Sequence, residues 1–290
     1  MNQKRIFWLI LLFFIASVDV CMIHGLEENH CLLPGQERAV MRDASEALEI
    51  LRVFELPDTD SLEFSVPEIG DGGKQETALL KDIMAALFQP ESGKKERRTW
   101  NRRERQAAPD TYQTCLETVR RLLSDVRYFP VPEATDDEQA GVTYENSWQY
   151  ERTYGGNRGH EGCDLMADVQ KRGYYPVLSV SDGVVEKTGW LPKGGYRIGI
   201  RSPSGVYYYY AHLAEYEEGI SQGKEVAAGE LIGYMGDTGY SEVEGTTGNF
   251  PVHLHFGMYL DNEEGEEISY NPYFLLRLLE EHRLSCDFQQ

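Results

Sequence analysis

The sequence predicts a mainly β domain built on an antiparallel sheet and preceded by a small α-helical region. Between Tyr154 and Tyr259, short segments of alternating apolar and polar residues recur at regular intervals. Glycine-containing turns separate them, at Asp182-Gly183, Gly194-Gly195, Ser204-Gly205 and Asp237-Thr238-Gly239. Upstream of Pro130 the apolar residues instead follow helical spacing. Such short strands with tight turns favour a compact antiparallel arrangement.

Taken in order, residues 1–25 read as a signal peptide or N-terminal membrane anchor. Lys4 and Arg5 precede an apolar run from Ile6 to Ala16, and Asp19 interrupts the weaker stretch that follows. A spanning helix needs about 20 apolar residues, so Asp19 favours cleavage, whereas the lack of a clear small-x-small site favours a retained anchor. Both place the remainder outside the cytoplasm. Residues 26–140 read as a helical N-terminal region. Helices are expected from Gln36 to Phe54, ending near Pro57, from Glu76 to Phe88, stopped by Pro90, and from Asp110 to Val126, with Asp110 as a cap. A basic island runs from Lys94 to Arg105 around Trp100 and reads as a solvated linker, with contact to a wall polymer or anionic lipid as the alternative.

After Pro130, Pro132 and an acidic run, the composition changes, and residues 141–290 read as a second domain. Strands are expected at Pro176–Val180, Gly183–Thr188, Arg197–Arg201, Val206–His212, Leu231–Met235 and Val252–Tyr259, with a closing helix at Pro272–His282. The chain has 290 residues, 41% of them hydrophobic and 26% charged, enough for a real core. Its 28 Lys and Arg against 48 Asp and Glu leave a net charge of -20, which argues against nucleic acid as a partner. The cysteines Cys21, Cys31, Cys115, Cys163 and Cys286 form neither a CxxC nor a regular framework, although a Cys31–Cys115 bridge is conceivable. Cys163 reads as a small buried hydrophobe on a strand.

Chemistry concentrates in the second part, where four of the seven histidines, His160, His212, His253 and His255, fall on or beside the expected strands. In a strand, His253 and His255 project from one face with origins about 7 Å apart, so both can serve one site. Alone, such a pair is more readily two solvated histidines. His160 and Asp164 are four residues apart, about 13 Å if extended, so shared ligation requires a bend, and Gly162 permits one. Two imidazoles and a carboxylate suit zinc and leave a fourth position for water, the pattern of a catalytic rather than a structural site.

The segments Gly159-His160-Glu161-Gly162-Cys163-Asp164, Tyr210-Ala211-His212-Leu213, the glycine-spaced run Gly223 to Gly239, and His253-Leu254-His255-Phe256 together resemble the lysostaphin-like, LytM-type zinc endopeptidases, peptidase family M23. The resemblance implies the duplicated-hybrid-motif type of fold, with zinc held by His160, Asp164 and His255. It implies that His212 and His253 are the catalytic, non-ligand histidines, and that the substrate is the peptide part of bacterial cell-wall peptidoglycan. The alternative is a non-cleaving LytM-type wall-binding or partner-activating protein of division or sporulation, against which the complete active set weighs. Two departures are noted, Cys163 beside a ligand and the acidic loop Tyr240 to Pro251. Aromatic groove surface is expected from Trp190 and alternate members of Tyr207 to Tyr210.

Overall fold

A computed structural model describes residues 44–55, Leu80, Lys81, Ile83, Met84, Leu87, residues 109–262 and residues 264–288. The expected signal or anchor, the basic island and Cys31 lie outside these residues. Helix α1 spans Ala44–Val53 and α2 spans Pro109–Ser124, and Leu80, Lys81, Ile83, Met84 and Leu87 are also helical. Helix α2 opens on Pro109, whose fixed φ suits a first helical position. Asp110 therefore sits within the first turn, where its charge favours the helix dipole, and is not the expected cap. No helix among the described residues is long and apolar enough to cross a membrane.

The strands are β1 (Glu133–Ala134), β2 (Val142–Thr143), β3 (Glu151–Arg152), β4 (Arg158–Gly159), β5 (Cys163–Ala167), β6 (Pro176–Leu178), β7 (Gly183–Leu191), β8 (Gly195–Arg201) and β9 (Tyr207–Tyr216). After them come β10 (Glu225–Val226), β11 (Leu231–Met235), β12 (His253–Asp261) and β13 (Glu267–Tyr270), then helix α3 (Tyr273–Leu279), a 3-10 turn (Glu280–His282) and β14 (Ser285–Cys286). The main sheet runs β10-β7-β8-β9-β12-β5-β2, with β13 on β12, and β11 joining β9 to β6. Every pairing in it is antiparallel. A parallel pair, β1 with β14, ties the segment before the sheet to the end of the chain.

Alternation gives the central strands two faces. On β9 and β12 the buried face carries Tyr208, Tyr210, Leu254, Phe256 and Met258. Tyr208 stacks on Phe256 with ring centroids 6.1 Å apart, and Tyr210 meets the same ring edge-on at 5.4 Å. Each such pair adds about 0.5–1.5 kcal/mol to the burial of the rings. This face is continuous with a core that includes Leu51 of α1 and Leu122 of α2. Polar links reinforce the join: Asp125 Oδ2 accepts the Ser204 N–H at 2.7 Å, Arg121 Nε donates to the Ser204 carbonyl at 2.8 Å, and the Asn271 N–H donates to the Arg52 carbonyl at 2.8 Å.

Strand β9 runs past His212, where a strand end was expected, because a bulge absorbs one residue. Ile198 faces Tyr210 and Tyr196 faces Leu213, so Ala211 and His212 oppose the single residue Arg197. His212 takes φ +63°, and Tyr208 and Tyr210 before it and Leu213 after it all point into the core. Without the extra residue His212 would share the core face of Tyr208 and Tyr210. The bulge turns it to the other face.

Candidate active site

The groove on that other face is where His160, Asp164, His212, His253 and His255 come together, in a cavity of about 290 Å3. Strand β5 pairs with β12 so that Asp164 lies directly opposite His255. His160 precedes β5 and is brought back by the bend at Gly162. That glycine is required for space rather than for an unusual φ. A Cβ there would stand 2.5 Å from His255 Cε1 and 2.7 Å from the Phe256 carbonyl oxygen.

Three donor atoms form a nearly equilateral triangle. His160 Nε2 is 3.1 Å from Asp164 Oδ1, His255 Nδ1 is 2.9 Å from the same oxygen, and the two nitrogens are 3.0 Å apart. Zinc bonds of about 2.0–2.1 Å at tetrahedral angles put neighbouring ligand atoms about 3.3 Å apart, so this set fits the metal closely. Among the described residues it is also the one group of His, Cys, Asp or Glu atoms gathered for a metal. The ring nitrogen of His160 turned away from the triangle, Nδ1, lies 3.2 Å from the Ser147 carbonyl and 3.0 Å from Ser147 Oγ. A carbonyl can only accept, so Nδ1 carries the proton and Nε2 presents its lone pair.

Burial opposes ionisation of Asp164, but the His160 and His255 rings against its Oδ1 outweigh it and hold the carboxyl well below the usual range. Its second oxygen, Oδ2, accepts from Arg152 Nη2 at 2.6 Å. Burial also pushes His255, His253 and His212 below the ordinary histidine value, so these rings are neutral at pH 7.

His212 and His253 have the same polarity as each other. His212 Nδ1 donates to the Thr238 carbonyl at 2.7 Å, and His253 Nδ1 donates to the Pro251 carbonyl at 2.8 Å. Both Nε2 atoms are left as acceptors, and the ring centroids are 4.7 Å apart. Thr238 fixes this corner further, since its Oγ1 accepts from the Tyr196 N–H at 3.1 Å and donates to the Leu213 carbonyl at 2.7 Å. The turn Asp237-Thr238-Gly239 is thus part of the site as well as a connection.

The remaining expectations resolve as follows. Cys163 faces the core with its neighbours Leu165 and Ala167, opposite in parity to Asp164, and burial pushes its thiol upward. The loop after Tyr240 forms a wall, with Phe250 packing on His212 at 4.6 Å and Tyr240 stacking on Tyr154 at 4.5 Å. Of the tyrosine run, Tyr209 lines the groove; Trp190 instead packs edge-on against Tyr196. Sequence reasoning missed Ser147, Arg152, Arg158 and Lys193. The two arginines flank Gly155-Gly156, a hairpin signal that could have placed them near one another.

Comparison with known proteins places the chain. The model of peptidase family M23 matches residues 158–268. The crystal structure of a proposed glycyl-glycine endopeptidase lytM from Ruminococcus gnavus is 41% identical, with a TM-score of 0.65 over 83% of this chain and 94% of that one. This chain belongs to peptidase family M23. Among curated relatives, the L-Ala--D-Glu endopeptidase of Bacillus subtilis (strain 168) is 44% identical over 154 residues, 53% of this chain and 44% of that protein. Lysostaphin of Staphylococcus simulans is 34% identical over 99 residues, 33% of this chain and 17% of that one. The chain thus matches less than half the length of these two relatives.

Proposed function

We propose that this protein is a zinc-dependent endopeptidase that hydrolyses peptide bonds of bacterial peptidoglycan outside the cytoplasm. The observation that carries the reading is the triangle of His160 Nε2, Asp164 Oδ1 and His255 Nδ1 beside two imidazoles whose Nε2 atoms are free to accept. The cell-wall activities in the names of the Bacillus subtilis and Staphylococcus simulans relatives support the substrate class. Residues 1–25 serve as the export signal or anchor, 26–140 as the helical region and 141–290 as the peptidase domain.

His160, Asp164 and His255 would hold the zinc. When bound, zinc lowers the pKa of a water toward about 7 and polarises the scissile carbonyl. The chain's own residues do the rest. As the water oxygen adds to the carbonyl carbon, Nε2 of His212 or His253 takes the water's proton, with the Thr238 or Pro251 carbonyl stabilising the imidazolium through Nδ1–H. The same Nε2–H then protonates the amide nitrogen as the C–N bond breaks, releasing an amine and a carboxylate. The second imidazole, its Nε2 also an acceptor, takes a hydrogen bond from a substrate N–H. Arg152 holds Asp164 Oδ2, which orients Oδ1 toward the triangle.

The test is zinc content together with release of soluble peptides from purified peptidoglycan. The expected result is about one zinc per chain and peptide release, both lost in His255→Ala. His253→Ala retains zinc and loses hydrolysis by about 100- to 10,000-fold. Zinc binding without cleavage of any wall would favour the non-cleaving alternative.

A further inference from the structure

The groove carries more positive charge than its own chemistry consumes. Strands β3 and β4 form a two-stranded hairpin in which Arg152 and Arg158 are direct cross-strand partners. Like charges directly opposite one another destabilise a strand pair. Arg152 is compensated, since its guanidinium binds Asp164. Arg158 is not: it makes no ion pair among the described residues, and its Nε is buried with no hydrogen-bond partner. Lys193, an exposed side chain on the facing wall, is likewise without an ion pair among the described residues.

The acidic residues near the groove do not answer these charges. Asp164 belongs to the triangle, and the Glu161 carboxylate is engaged elsewhere, accepting from Ser269 Oγ at 2.9 Å and standing 3.7 Å from Arg52. Two uncommitted cations therefore line one groove of a chain whose net charge is -20. A planar guanidinium suits a carboxylate in particular, through charge-assisted hydrogen bonds.

We infer that Arg158 and Lys193 form a carboxylate-recognising subsite, which selects peptides bearing an ionised side carboxylate next to the bond cut over uncharged glycyl bridges. The inference rests on the reading above for the kind of ligand, a peptide, and deepens it by naming the substrate class. Uncharged segments would leave both charges unanswered.

The experiment measures binding to the full chain, by fluorescence anisotropy, of two labelled peptides containing an L-Ala–D-Glu unit whose scissile amide is replaced by an uncleavable ketomethylene. One carries the free α-carboxylate of the glutamate, and its twin carries a carboxamide there. Wild type is expected to bind the carboxylate form about tenfold more tightly, as one or two charge-assisted hydrogen bonds would give. The preference should shrink as salt is raised. In Arg158→Gln and Lys193→Gln the preference should fall, and in the double variant the two peptides should bind equally, with zinc content unchanged. Equal binding by wild type, or a preference that survives in the double variant, would overturn the subsite. Because binding is read without turnover, a carboxylate preference in a chain that cuts no wall would refute the proposed activity while leaving the subsite intact.

Discussion

Gly162 lacks a side chain because the His255 ring and the Phe256 carbonyl occupy the space one would need. Alanine there must displace the His255 imidazole, and a misplacement of about 1 Å at a reacting centre costs on the order of 100-fold. Gly162→Ala is accordingly expected to lower peptide release by about that factor while the protein still unfolds cooperatively; unchanged activity would show that the ring has room to move. Arg152 acts one step further out, through Asp164 Oδ2. Arg152→Ala should weaken zinc binding by about 10- to 100-fold, as loss of an outer-shell partner does, and competition against a chelator of known affinity measures it. Tight zinc binding in that variant would remove Arg152 from the positioning role.

At the scale of elements, the turn from β11 into the loop of residues 237–250 determines how His212 and His253 are held. Asp237 is the anchor: it pairs with Arg172, Nε to Oδ1 at 2.5 Å and Nη2 to Oδ2 at 3.1 Å, and accepts the Gly248 N–H at 2.9 Å. Burial opposes ionisation of Asp237, but Arg172 outweighs it and the carboxyl lies below its ordinary value. A lowered carboxylate pKa means that the unfolded chain binds the proton more readily. The contribution is therefore present above the unfolded value near about 4 and lost as pH falls through the folded one. Urea midpoints of wild type and Arg172→Ala should differ most near neutrality and converge below about pH 4. A constant gap would mean that Arg172 stabilises by packing alone. Since Arg172 is nearly half exposed, with a side-chain exposure of 47%, the gap should be modest.

For the whole molecule, the helices and the sheet share one core. Phe129, Leu122 and Val119 are fully buried in the same cluster as Tyr208 of the sheet. A chain beginning at Gly141 would lose α1, α2 and β1, and with them the partner of β14. It is expected to expose apolar surface, bind a hydrophobic dye and melt earlier than the full chain. Full-length stability in the truncated form would instead make residues 141–290 self-sufficient. Leu122→Ala offers a milder probe, with an expected loss of about 2–5 kcal/mol in denaturant unfolding.

The pieces of the site could be read without a structure because the chemistry was written locally. The spacing of His160 and Asp164 around Gly162, and the two-residue alternation of His253 and His255, dictate side-chain direction within a few residues. The sheet was legible for the same reason, its strands having clear alternation and glycine turns, whereas β3, β4, β13 and β14 are too short to show a period. Tertiary structure alone decided the rest. It placed His212 in the groove, since alternation counted from Tyr208 and Tyr210 would bury it, and only the pairing of β9 with β8 creates the bulge that reverses it. It turned Ser147, Thr238 and Pro251 into supports for the histidines, and it separated Arg152, which Asp164 neutralises, from Arg158, which nothing among the described residues does. A side chain's direction is set by its own backbone, but its partners are set by which distant segments the fold brings beside it.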